Sequence, residues 1–129
     1  MAFHTNVGIE NGYAIINLHG TFDIHAVSDF LKSGDALLEA PNLAEIEINF
    51  KNVNFMDSSA MGALLKLREN ATINNCEVVL CDYCGAARLT LETANFPLLF
   101  LTRPAKIAKT KKTAAPAVVK GMEEIPETV

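Results

Sequence analysis

Asp57, Ser58 and Ser59 stand in a row where the period of the sequence changes. Upstream, Ile46-Glu-Ile-Asn-Phe50 alternates apolar and polar, the pattern of a strand with one buried face. Downstream, Ala60, Leu64, Leu67 and Ala71 recur at helical spacing and form one apolar stripe. Asp57 suits the N-cap between them, because its carboxylate can accept a hydrogen bond from a first-turn amide. Ser58 and Ser59 then open the helix, with hydroxyls near the positive end of its dipole. A phosphate esterified there would meet first-turn N–H groups and bring close to two negative charges to a surface junction. The plainer reading is that Asp-Ser-Ser is simply a good helix start, since all three residue types favour that position.

The other reactive side chains have less support. Cys81-Asp-Tyr-Cys84, with Cys76 nearby, has zinc or redox spacing. A structural zinc needs four ligands, and His4, His19 and His25 all lie far off in sequence. A redox pair would sit at a helix start, where the dipole lowers a thiol pKa, and Cys84 suits that place. Buried structural thiols are the expectation, with neither metal nor cofactor. A hydrolase nucleophile would also occupy a strand–helix corner, but the Gly-x-Ser-x-Gly frame and any glycine-rich phosphate loop are absent. The chain therefore reads as a non-enzyme.

Phe55-Met-Asp-Ser-Ser-Ala-Met-Gly62 resembles the phosphorylation-site signature of STAS domains, most closely the anti-sigma factor antagonists. Leu18-His-Gly-Thr-Phe-Asp-Ile-His-Ala26 is similar to that family's glycine-x-x-aspartate segment after the second strand, and the likeness runs from about residue 5 to about residue 101. The resemblance implies that Ser58 is phosphorylated by a partner anti-sigma factor serine kinase, with Ser59 as the fallback, and that a serine phosphatase reverses it. It implies a partner-binding surface of Asp23, Asp57, Ser58, Ser59, Met61, Gly62 and Leu65. Met61 and Leu65 lie on the helix flank, where they either form an apolar docking patch or extend the core. The family usually has glycine where Ala60 stands, which adds a methyl at the expected docking face. Other uses of the fold share the motif: a non-switching scaffold, or an accessory subunit of a signalling or transport complex.

Size and charge agree with a single-domain binding protein. The 129 residues suffice for one core, and half of them are apolar. No apolar run approaches the roughly 18 residues of a membrane span, and Met1-Ala-Phe-His lacks a signal pattern, so a cytoplasmic protein is expected. Residues 1–102 carry 12 acidic and 5 basic side chains, and the remainder 3 acidic and 6 basic. An acidic body of this kind suits a basic protein partner and argues against direct nucleic-acid binding. From Arg103 onward, scattered lysines and prolines with few large apolar groups predict a mobile tail over 103–129, leaving a STAS-like domain at 1–102.

Asn11-Gly12 between two apolar-rich runs predicts an antiparallel hairpin at the start. A helix capped by Asp23 or Ser28 is expected through Glu39, ended by Pro41. A strand at 44–50 leads into the Asp57 helix, which should fray near Asn74-Asn75. Glu77–Cys81 reads as a strand, Asp82 to Asn95 as a helix, and Pro97–Leu101 as a last strand. This alternation predicts an α/β fold: a mostly parallel sheet with an N-terminal antiparallel hairpin strand. Glu45, Glu47 and Asn49 on one side of a central strand would be costly beneath helices, so the helices should lie mainly on one face.

Overall fold

Asn11 and Gly12 adopt φ values of 52° and 83°, the left-handed pair that a two-residue hairpin turn requires. They join β1 (His4–Glu10) to β2 (Tyr13–Phe22) in an unbroken antiparallel register. In the computed structural model, which describes residues 3–103, three parallel strands follow: β3 (Glu45–Met56), β4 (Glu77–Cys81) and β5 (Leu101–Arg103). Their spatial order is their chain order, as successive crossovers of one hand produce.

Alternation then divides the strands. Ala14, Ile16 and Leu18 of β2 and Ile46, Ile48 and Phe50 of β3 point into the core, joined by Val78 and Leu80 of β4. The buried sides of α1 (Val27–Leu38), α2 (Ser58–Ile73) and α3 (Gly85–Thr93) enter that same core. One sheet face is therefore covered by helices, while Glu45, Glu47 and Asn49 are only half-buried on the other. Gly34 brings α1 and α2 together, because a Cβ there would lie 2.6 Å from Leu67 Cδ1.

Three boundaries differ from expectation. Residues Phe96–Leu98 form a 3-10 turn, so the last strand begins at Leu101 rather than Pro97. Asn95, at φ 62°, turns the chain there, and Pro97 suits the first turn of a short helix. The third helix starts at Gly85, not Asp82, because Asp82 itself is left-handed at φ 53°. β3 runs on to Met56, well past the expected end at residue 50. That extension carries the strand directly into the Asp57 corner. Of the expected tail only Arg103 is described; it closes β5, and residues 104–129 lie outside the described residues.

Candidate functional site

β2 and β3 end side by side, with Phe22 opposite Met56, and an aspartate follows each. Asp57 N donates to the Phe22 carbonyl at 3.4 Å, which ties the two strand ends together. Asp23 caps a single 3-10 turn, Ile24–Ala26, by accepting from His25 N at 3.0 Å, and that turn runs into α1. Asp57 caps α2 by accepting from Ser59 N at 3.0 Å and Ala60 N at 3.3 Å. Two parallel strands thus deliver two carboxylates to one rim of the sheet. Register shifts between Asn17 and His19 and between Gly20 and Thr21 lie just before the rim, where bulges re-aim a strand end. Gly20 has φ 99°, a conformation that an L side chain resists.

Ser58 is the first residue of α2 and is exposed; Ser59 beside it is half-buried. The first-turn amides of Ser59 and Ala60 already donate to the Asp57 carboxylate. A phosphate on Ser58 would thus compete with a carboxylate for those two donors. Gly62 and Leu65 continue the Ser58 stripe along the outer side of α2, both exposed, Leu65 to 41%. Met61 is half-buried and packs against the core. The two apolar residues of the helix flank therefore separate, Met61 inward and Leu65 outward. Ala60 is fully buried, so its methyl belongs to the core and adds nothing to the docking face, contrary to the expectation from the resemblance.

Two exposed apolar residues at the rim escaped the sequence reading. Phe55 (48% exposed) and Ile24 (62% exposed) are adjacent in sequence to the Met56-Asp57 and Asp23 corners. Their signal was present: Ile24 directly follows the capping Asp23 and Phe55 stands two residues before the capping Asp57, at strand ends where an outward apolar side chain has no core to enter. A shallow groove lined by Gly62, Leu65, Lys66, Glu69, Thr72 and Ile73 prolongs the surface down α2.

The cysteines do not meet. Cys76 and Cys81 are buried, whereas Cys84 is exposed at the N-cap of α3. Burial pushes the Cys81 thiol up to about 12, reinforced by Glu47 and opposed by Arg103. Burial also raises Cys76, with Glu45 and Glu77 adding to it. These thiols stay protonated and unreactive at neutral pH. Among the described residues, no group of three or more His, Cys, Asp or Glu side chains is placed to hold a metal ion. No helix among them is long and apolar enough to cross a membrane. On the open sheet face Arg103 reaches Glu45 at 3.2 Å and Glu47 at 3.7 Å, fastening β5 across the sheet to β3.

A mixed sheet with helices on one face and a capped serine corner at the rim defines a STAS domain. The STAS family model matches residues 4–114, and the chain belongs to that family. It is 32% identical over 85 residues to a STAS-domain containing protein of Pseudomonas aeruginosa, covering 66% of this chain and 82% of that one. An anti-sigma factor antagonist from Mycobacterium paratuberculosis superposes with a TM-score of 0.71 at 15% identity, over 84% of this chain and 90% of the other. The anti-sigma factor antagonist SpoIIAA, unphosphorylated, gives 0.64 at 21% identity over 84% and 94%. SpoIIAA of Bacillus in its phosphorylated form gives 0.62 at 20% over 84% and 96%. At such identities these structures establish the fold.

Proposed function

We propose that this chain is a non-catalytic anti-sigma factor antagonist whose binding is switched by phosphorylation of Ser58, with Ser59 as the alternative acceptor. The observation that carries the reading is the exposed Ser58 at the N-terminus of α2, beside a carboxylate that already holds the neighbouring amides. Unmodified, the corner and its apolar neighbours Leu65, Phe55 and Ile24 dock on an anti-sigma factor that is itself a serine kinase. Asp57 holds the α2 start and orients the hydroxyl, Asp23 extends the same rim, and Gly62 permits close approach.

The sign of the switch follows from the occupied amides. A phosphate at Ser58 brings close to two negative charges beside the Asp57 carboxylate, which already holds the Ser59 and Ala60 amides. Burying that charge against a partner costs desolvation unless the partner supplies cations. A loss of about 3 kcal/mol weakens binding roughly a hundredfold. A serine phosphatase restores the docking form. That a relative of the same fold, SpoIIAA, is known in unphosphorylated and phosphorylated forms supports this reading, as does the acidic body of the chain. The protein then acts on transcription indirectly, in the cytoplasm.

The test is incubation with the kinase and ATP, followed by mass spectrometry of the 54–66 peptide. Stoichiometric modification lost in Ser58→Ala, with Ser58→Asp binding the kinase far more weakly than wild type, is the expected result. Undiminished binding by Ser58→Asp, or persistent co-purification with a transport complex in the absence of modification, would overturn the proposal in favour of a non-switching subunit.

A further inference from the structure

β1 is an edge strand of seven residues whose only hydrogen-bonded neighbour among the described residues is β2. Apart from the charge of Glu10 at its end, it carries none of the devices that keep edges apart: no lysine, no proline and no break in register. Its outward groups are fixed by the hairpin. A two-residue turn makes Glu10 and Tyr13 a hydrogen-bonded pair, so Gly8, Asn6 and His4 also bond toward β2. Thr5, Val7 and Ile9 therefore present their amides and carbonyls outward. Their side chains share the helix-covered face, where Val7 and Ile9 are each left 51% exposed.

We propose that β1 is a homodimer interface, pairing antiparallel with β1 of a second copy about a two-fold axis at Val7. In that register Val7 faces Val7 of the second copy and Thr5 faces Ile9, so every outward amide and carbonyl of β1 meets a complementary group. A shift of one residue would set outward groups against inward ones, and a shift of two leaves one end unpaired. The side chains agree with the same register. On the open face His4 lies opposite Glu10 of the second copy, a donor or cation against a carboxylate, and Asn6 lies opposite Gly8, which leaves it room. On the other face Val7 and Ile9 gain apolar cover. His4 is already held flat against His19, with ring centroids 4.5 Å apart and planes within 2°. The contact is isologous and closed, so it ends at two copies rather than growing into a fibre. The two Ser58 corners point to opposite ends of the joined sheet, so neither is covered by the contact.

The full-length chain tests this by sedimentation velocity across a concentration series, with amide exchange as a second readout. The expected result is a concentration-dependent dimer in which the Thr5, Val7 and Ile9 amides gain protection as concentration rises. Val7→Lys and His4→Glu should each weaken it at least about tenfold, the latter by setting like charges opposite each other twice. His4→Glu with Glu10→Lys should restore wild-type association, because the pairing is reversed in sign but not in register. A chain that stays monomeric to about 1 mM, or a dimer indifferent to both single variants, would overturn the proposal. The amide readout on wild type needs no variant to fold, and neither outcome depends on phosphorylation of Ser58.

Discussion

Gly62 offers a sharp test of where a partner sits. It is the fifth residue of a sixteen-residue helix, exposed, and a Cβ added there meets nothing within 4 Å. A glycine in a helix interior costs about 0.5–1 kcal/mol relative to alanine, through the backbone entropy it loses. Nothing inside the fold offsets that cost, since α2 is regular and no neighbour approaches. Gly62→Ala should therefore stabilise the isolated protein by about 0.5–1 kcal/mol, a rise in Tm of roughly 3–6 °C for a domain of this size. On the proposed docking face the compensating advantage lies in the complex, because Gly62 separates Ser58 from Leu65 on the outer stripe. A methyl there would hold a closely docked backbone away, and kinase affinity should fall at least about tenfold. Thermal and urea unfolding give the first quantity, and calorimetric titration with the kinase gives the second. A lowered Tm would show that Gly62 serves the fold and refute the steric argument. A raised Tm with unchanged affinity would move the docking face off this stripe.

Asp57→Ala removes the acceptor of two first-turn amides and should cost about 1–2 kcal/mol, read as a lower urea midpoint at constant slope. Asp57→Asn, which can still accept, should lose less. Native thiol titration should find Cys84 reacting quickly while Cys76 and Cys81 wait for unfolding. The same burial predicts an alkaline limb. Above pH 9.0 unfolded chains release thiol protons that the folded Cys81 keeps until about 12, so stability falls as pH rises through that window, by at most about 1.4 kcal/mol per unit from this group. Cys81→Ser should flatten the limb; an unchanged slope would show that other groups set it.

What the chain determined by itself is local. Asn11-Gly12 specified the hairpin because only a few residue types accept two successive positive φ values. Asp57 specified the start of α2 through its own carboxylate, and Ala60, Leu64, Leu67 and Ala71 specified which side turned inward. The polar row Glu45, Glu47, Asn49 put the helices on one face. These signals act over a few residues, within reach of one side chain or one turn. The end of the sheet was not local. Pro97–Leu101 has strand composition, but the left-handed Asn95 and the packing of Phe96 and Phe100 bend it into a turn, leaving only Leu101–Arg103 to pair with β4. Arg103 belonged to the tail by composition and to the sheet by its reach to Glu45 and Glu47, which lie more than fifty residues away. The rim site divides in the same way. Ser58 and its cap were legible in sequence, whereas the meeting of Asp23 with Asp57, the outward Phe55 and Ile24, and the inward Met61 came from strand register and helix packing. Those are long-range contacts, and no window of sequence contains both partners.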